Sequence, residues 1–247
     1  MSHDVIVIGA GAVGSAAAYH AAKDGQSVLL LEQFERDHQH GSSYGDSRII
    51  RYAYTDAPYI AFANETYPLW ETLEAESGEQ LLIKTGGVDF GRPDQPDFAA
   101  TRQALTDMNI PFEALTPSDV QRRFPQFHLT DDMIAIYQAD AGLLRASACV
   151  LAHLKMAEQY GAIVQENCTV EQIIPHTDGV TVKSNQGEFR AKRLIIAAGA
   201  WATPLLNQLG LDLPLEISRE QLAFFEAPST YNAPQHPIYI GWGDEEI

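Results

Sequence analysis

Val5-Ile6-Val7-Ile8-Gly9-Ala10-Gly11-Ala12-Val13-Gly14 decides how this chain is read. Four β-branched apolar residues run into a Gly-x-Gly-x-x-Gly turn. Ser15-Ala16-Ala17-Ala18-Tyr19-His20-Ala21-Ala22 follows, a small-residue stretch with high helix propensity. Strand, glycine turn and helix in this order form the first half of a dinucleotide-binding βαβ unit. Gly9 permits the tight turn, Gly11 lets the backbone approach a pyrophosphate, and Gly14 lets the helix pack close to the sheet. The first-turn N–H groups and the helix dipole then face the phosphates. A second buried-strand run, Val28-Leu29-Leu30-Leu31, ends in Glu32, 18 positions after Gly14. A carboxylate there accepts hydrogen bonds from an adenosine ribose and repels the extra phosphate of NADP. The competing reading is a glycine turn in a doubly wound sheet that binds nothing.

Composition narrows the class. The 247 residues suffice for one large or two modest domains, and 45% hydrophobic with 20% charged residues describes an ordinary globular chain. A formal charge of −17 argues against nucleic acid and against an anionic membrane surface, since both call for a basic footprint. Two cysteines, Cys149 and Cys168, make neither a disulfide framework nor a four-ligand zinc site. The N-terminus lacks the basic region and long apolar run of an export signal, and no stretch has the length of a membrane span. These absences make the cytoplasm the expected compartment.

Beyond Glu32, residues 34–51 are polar, glycine-bearing and too long for a routine connection, so a functional loop is expected. His38 and His40 lie in it without a third ligand at sensible spacing, so no metal is expected. A solvated position, or one at the edge of the bound dinucleotide, suits them better. Residues 58–77 read as a helix with Ile60, Phe62, Ala63, Tyr67, Leu69, Trp70 and Leu73 near one face, complicated by Pro58 and Pro68. Strands joined by a glycine turn are expected over 81–91, a helix over 96–108, a capped helix start at Thr116-Pro117-Ser118-Asp119, and a strand over 133–138. A helix over 147–160 ends at Gly161. Strands at 163–165, 170–174, 180–184 and 188–191 then suggest an antiparallel meander with turns at Asp178-Gly179 and Asn185-Gln186-Gly187. Cys149 and Cys168 read as buried inert thiols. A buried strand follows at 193–198, ending in Gly199-Ala200-Trp201, either a core strand with a tight turn or a second backbone approach to the same dinucleotide. The tail offers strands at 221–226 and 238–240.

Three stretches together resemble the flavin-dependent amine oxidases of the monomeric sarcosine oxidase and N-methyltryptophan oxidase group, within the D-amino-acid-oxidase-like superfamily. They are Gly9–Gly14 with Glu32; His40-Gly41-Ser42-Ser43-Tyr44-Gly45-Asp46-Ser47-Arg48-Ile49-Ile50-Arg51-Tyr52-Ala53-Tyr54; and Leu194-Ile195-Ile196-Ala197-Ala198-Gly199-Ala200-Trp201. The second is the specific one, and the three span residues 4 to about 226 in the expected order. The resemblance implies an α/β fold: a Rossmann-like FAD-binding domain with an inserted α+β substrate domain on a mixed or antiparallel sheet. The expected division gives 1–85 and 139–215 to the FAD-binding domain, and 86–138 and 216–247 to the substrate domain.

The resemblance also implies roles. Gly9, Gly11, Gly14 and Glu32 would hold the ADP half of FAD. Ser42, Ser43, Ser47 and Arg48 would line the pyrophosphate and isoalloxazine region. Val170 would meet the adenine through its backbone, and Ala198, Gly199 and Trp201 would pack over the cofactor. Arg51 would grip a substrate carboxylate, a task suited to an always-charged bidentate fork. The alternative for Arg48 and Arg51 is a surface ion pair with Asp46 or Asp56. The implied chemistry takes a hydride equivalent from the carbon beside a secondary amine of an N-alkyl amino acid, with oxygen as final acceptor. It yields an aldehyde, a primary amine and hydrogen peroxide.

Departures accompany the matches. Tyr44 stands where the group often has histidine. The basic residue that assists oxygen and the cysteine that links to FAD lie, in that group, beyond the last residue here, and neither Cys149 nor Cys168 takes the linking place. A chain corresponding to the N-terminal two-thirds of such an oxidase is therefore expected. An NAD-dependent dehydrogenase and a non-catalytic nucleotide-binding module are the alternatives. Phe224, Tyr239 and Trp242 would either line an aromatic substrate pocket or merely pack a sheet.

Overall fold

A computed structural model describes residues 2–223 and 225–243. The chain forms two compact units, one of Met1–Asp46, Ala75–Glu79 and Ala146–Ala223, the other of Ser47–Glu74, Gln80–Arg145 and Phe224–Ile247. These bounds differ from the expected division, which carried the first segment to residue 85. Strand pairing explains the difference. Arg48–Ile50 and Leu82–Lys84 both pair antiparallel with Gly142–Leu144. Ile60 of the helix Ala57–Ser77 packs on Phe98, Leu105 and Ile136.

In the first unit a six-stranded mixed sheet runs in the order Val170–His176, Gly179–Ser184, Gly187–Ile196, Ser2–Ile8, Val28–Leu31, Ile163–Gln165. Ser2–Ile8 is parallel to both its neighbours, as a βαβ unit requires. All four residues of Val28–Leu31 are buried, the signature of a strand covered on both faces. Ile6, Ile8, Leu29 and Leu31 pack with Ile173, Val182, Ala191 and Leu205 on one face. Alternation turns Val5, Val7, Val28 and Leu30, also buried, to the other face. The helices Ala12–Lys23 and Ala146–Gln159 pack on each other through small residues, with Ala18, Ala22, Ala152 and Ala157 all buried.

The meander is smaller than expected. Ile163–Gln165 does not belong to it: this strand follows its helix back to the sheet and pairs parallel with Val28–Leu31 at the opposite edge. Residues 188–191 and 193–196 form one ten-residue strand, Gly187–Ile196, because Lys192 between them supplies no turn. Cys149 and Cys168 are both buried and not disulfide-linked, and burial pushes the Cys168 thiol up.

The second unit holds a four-stranded mixed sheet in the order Ile238–Trp242, Gly87–Gly91, Ile134–Gln138, Glu113–Leu115, besides the three-stranded sheet already described. The strands expected over 81–91 exist, but Leu82–Lys84 and Gly87–Gly91 enter different sheets. Helix Ala57–Ser77 runs through Pro68 unbroken. Pro68 and Asn64 are both exposed, so the carbonyl that loses its partner faces water. The same helix buries Ile60, Ala63, Tyr67 and Leu73 but leaves Phe62 and Leu69 exposed, so the apolar face is narrower than its composition suggests. Pro117–Arg123 begins with the expected cap: Asp119 N–H donates to Thr116 Oγ1, and Thr116 N–H donates to Asp119 Oδ2. Residues 221–223, 225 and 226 form no strand, since no neighbouring strand offers them hydrogen bonds. Phe224 and residues 244–247, part of the tail reading, lie outside the described residues. Among the described residues no helix is long and apolar enough to cross a membrane.

Candidate functional site

Three strand ends converge in the first unit. Gly9 N–H donates to Leu31 O, and Ala197 N–H donates to Ile8 O, both at 2.8 Å. Gly9 takes φ +100°, and a Cβ there would lie 2.5 Å from Ala197 O. A Cβ on Gly14 would fall onto Gly9 O, with Ala197 Cβ 3.2 Å away. Only glycine fits either place, so the helix Ala12–Lys23 starts directly on the crossing of the two turns. Its N-cap is Gly11, with no side-chain cap; Ala12 N–H donates to Ser43 Oγ at 2.9 Å. The helix N-terminus therefore presents backbone donors with the positive end of its dipole behind them. Ala198 and Gly199 continue from Ala197 into the single turn Gly199–Trp201.

Glu32 is 4% exposed. Its Oε2 accepts Ala10 N–H at 2.7 Å and its Oε1 accepts Phe34 N–H at 3.0 Å. The carboxylate thus buttresses the glycine turn, a part the sequence reading missed. A carboxylate has about four acceptor positions, so each oxygen keeps one for a hydroxyl. His38 Nε2 stands 3.5 Å from Oε1. Phe34 packs among His38, His40 and Trp201, with ring centroids 4.7, 4.6 and 5.6 Å away. The two histidines thus join an aromatic cluster beside Glu32. Val170 opens its edge strand half-buried, and Cys168 N–H donates to Glu32 O just before it. Ser42 is exposed in the same unit. The donor set at the helix start, the shaped carboxylate and the Cβ-free crossing fit the ADP half of a dinucleotide.

Ser47, Arg48 and Arg51 belong to the second unit. Arg48 is exposed, and its Nη1 donates to Ser47 O at 2.7 Å. Arg51 pairs with neither Asp46 nor Asp56. Its Nη1 donates to Asp89 Oδ1 at 3.0 Å, and Trp242 Nε1 donates to the same oxygen at 3.1 Å. The guanidinium lies 5.1 Å from the Tyr54 ring centroid and 5.8 Å from that of Trp242. Side-chain exposure is 16% for Arg51 and 3% for Asp89. Burial pushes the Asp89 carboxyl up, against the Arg51 charge and the Trp242 hydrogen bond, which pull it down. Asp89 went unnoticed in the sequence. Its signal is an ionisable residue between the apolar Val88 and Phe90 in a stretch read as strand. Tyr239 and Trp242 do not share a pocket. Trp242 turns to Asp89, while Tyr239 packs on Phe127 and Phe90, with centroids 5.1 and 6.3 Å away.

Comparison with known proteins agrees with this geometry. The model of the family described as FAD dependent oxidoreductase matches residues 4–245. The monomeric sarcosine oxidase of Streptomyces avermitilis is 38% identical over 99% of this chain and 64% of its own length. The N-methyl-L-tryptophan oxidase of Citrobacter koseri is 31% identical over 98% of this chain and 64% of its own length. The chain thus spans about 64% of these curated relatives. Among solved structures, a variant of NikD, an amino acid oxidase essential for nikkomycin biosynthesis, superposes with a TM-score of 0.78. It is 31% identical, and the match covers 86% of this chain and 55% of that one. With the family matched along nearly the whole chain and the dinucleotide cradle in place, this protein belongs to the FAD-dependent oxidoreductases and takes FAD as its cofactor.

Proposed function

We propose that the protein is an oxidase of N-alkyl amino acids, of the class that includes sarcosine and N-methyltryptophan. The observation that carries this reading is the crossing of the Gly9–Gly14 turn with Ala197, buttressed by Glu32. The sarcosine and N-methyltryptophan oxidase relatives supply the substrate class.

In this reading the N–H groups of Gly11, Val13 and Gly14 bind the pyrophosphate while Ser43 holds that of Ala12, and the spare lone pairs of Glu32 accept a ribose hydroxyl. Val170 meets the adenine through its backbone. Ser42, Ser43, Ser47 and Arg48 serve the pyrophosphate and isoalloxazine region, and Ala198, Gly199 and Trp201 cover the cofactor. Bound flavin supplies a two-electron acceptor for the C–H bond beside the amine and passes the electrons to oxygen as hydrogen peroxide. Arg51 holds the substrate carboxylate by a charge-assisted fork and so orients the amine. Its positive charge also disfavours the protonated amine, leaving the nitrogen lone pair needed for oxidation. Water then hydrolyses the oxidised product to an aldehyde and a primary amine.

The test is the visible spectrum of the purified protein before and after acid precipitation, followed by a peroxide assay. A flavin spectrum and peroxide released with sarcosine or N-methyl-L-tryptophan are expected. The flavin should leave in the acid supernatant, since both cysteine thiols are buried. A flavin-loaded protein inert toward both amines, as toward other N-methyl amino acids, would overturn the substrate class. A colourless folded protein would instead favour the non-catalytic reading.

A further inference from the structure

We infer that Asp89 is a positioning residue for the Arg51 site: it tethers one amino group of the guanidinium and thereby aims the rest of the fork at a carboxylate ligand. The inference rests on the reading of Arg51 as the carboxylate anchor.

Asp89 sits at the middle of Gly87–Gly91, with Ile240 opposite on one neighbouring strand and Ile136 opposite on the other. Its strand neighbours Val88 and Phe90 pack with Val120, Phe124 and Ala135 on the far face. Asp89 shares its face with the cluster of Ile60, Phe98 and Ile136. A carboxylate in this apolar setting is penalised by desolvation, and buried ion pairs are often no more stabilising than apolar residues of the same size. Stability alone is thus a poor reason for an aspartate here.

The geometry supplies a better one. Both hydrogen bonds reach the same oxygen, Oδ1, one from Arg51 Nη1 and one from Trp242 Nε1. Trp242 therefore fixes the carboxylate, and the carboxylate fixes one corner of a planar, rigid guanidinium. The Tyr54 and Trp242 rings flank the same group and limit its swing. Arginine has five N–H donors, and this anchor uses one, so a bidentate edge stays available to a ligand carboxylate. The side chain of Arg51, at 16% exposure, is the more accessible member of the pair, at 3% for Asp89.

The experiment measures calorimetric binding of acetate and indole-3-acetate, carboxylates that lack an oxidisable amine, to the FAD-loaded protein and its variants. Arg51→Ala should abolish measurable binding, and if it does not, the reading of Arg51 as the anchor fails and this inference with it. Given that loss, Asp89→Ala should weaken binding roughly tenfold. Asp89→Asn keeps an acceptor for both donors and should stay within about threefold of the parent, a rescue that a charge effect alone does not give. Trp242→Phe keeps the packing and removes one donor to Oδ1. It should weaken binding about threefold, and it tests the anchor even where Asp89→Ala does not fold. Parent-like binding by a folded Asp89→Ala, or by Trp242→Phe, would overturn the inference while leaving Arg51 as the anchor. Equal losses in the Asn and Ala variants would also overturn it.

Discussion

The cradle around Gly14 and the ion pair around Asp89 both work by setting charge in a confined place, and they are built in opposite ways. The cradle is backbone. Its shape depends on the Cβ atoms that Gly9 and Gly14 lack, on N–H groups at a helix start, and on one carboxylate 18 residues beyond Gly14. The Arg51 site is made of side chains: Arg51 and Tyr54 lie just past a short strand, Asp89 in the middle of a second and Trp242 at the end of a third. A backbone site tolerates many neighbours but no added atom. A side-chain site tolerates additions nearby but depends on the register of every strand that feeds it.

This contrast can be broken experimentally. The largest effect is expected from Gly14→Val, whose side chain has nowhere to go but into Gly9 O. It should cost about 3 kcal/mol or more of stability and abolish FAD retention, read by denaturant melts and by flavin content. A variant that keeps its flavin would show the cradle to be less rigid than its contacts indicate.

The next effect is pH dependence of the first unit. Burial, aided by the nearby His20, holds the His153 imidazole down at about 4, against an ordinary value of 6.5. The unfolded chain therefore takes up a proton as pH falls through 6.5, while the folded chain does not until about 4. Stability should be level above pH 6.5 and fall progressively between 6.5 and 4, by up to about 3 kcal/mol from this group. Melts of the parent and of His153→Leu across this range should diverge below pH 6.5, the variant having the flatter profile.

The smallest effect belongs to the second unit. Thr116→Ala removes the side-chain half of a capping box on the seven-residue helix Pro117–Arg123. It should cost about 1 kcal/mol without altering flavin content, because the cap's hydrogen bonds close within residues 116–119. Flavin loss in this variant would mean that the two regions are coupled more tightly than their separate construction suggests.

The same division explains what could be read in advance. Residues 5–14 carry their own geometry, since four β-branched residues favour a strand and the glycines after it permit the turn and close approach that other residues cannot take. Thr116 and Asp119 likewise act within four residues. The readings that failed concerned strand pairing and the choice of buried face. Ile163–Gln165 has good strand composition but finds its partner in Val28–Leu31, across more than 130 residues. Residues 221–223, 225 and 226 have similar composition and find no partner among the described residues. Phe62 and Leu69 are apolar, yet they turn away from the core that Ile60, Ala63 and Tyr67 enter.

By itself, then, the sequence determined the strand, glycine turn and helix of residues 5–22, because residue types and glycine spacing act locally there, and three stretches resembling the flavin-dependent amine oxidases pointed to the family. Only the tertiary structure decided that Glu32 shapes the turn it was expected merely to accompany, and that Arg51 is held by Asp89 rather than by Asp46 or Asp56. Those pairings follow from strand register and from the cost of leaving a buried charge without a partner, and neither is a local property of the chain.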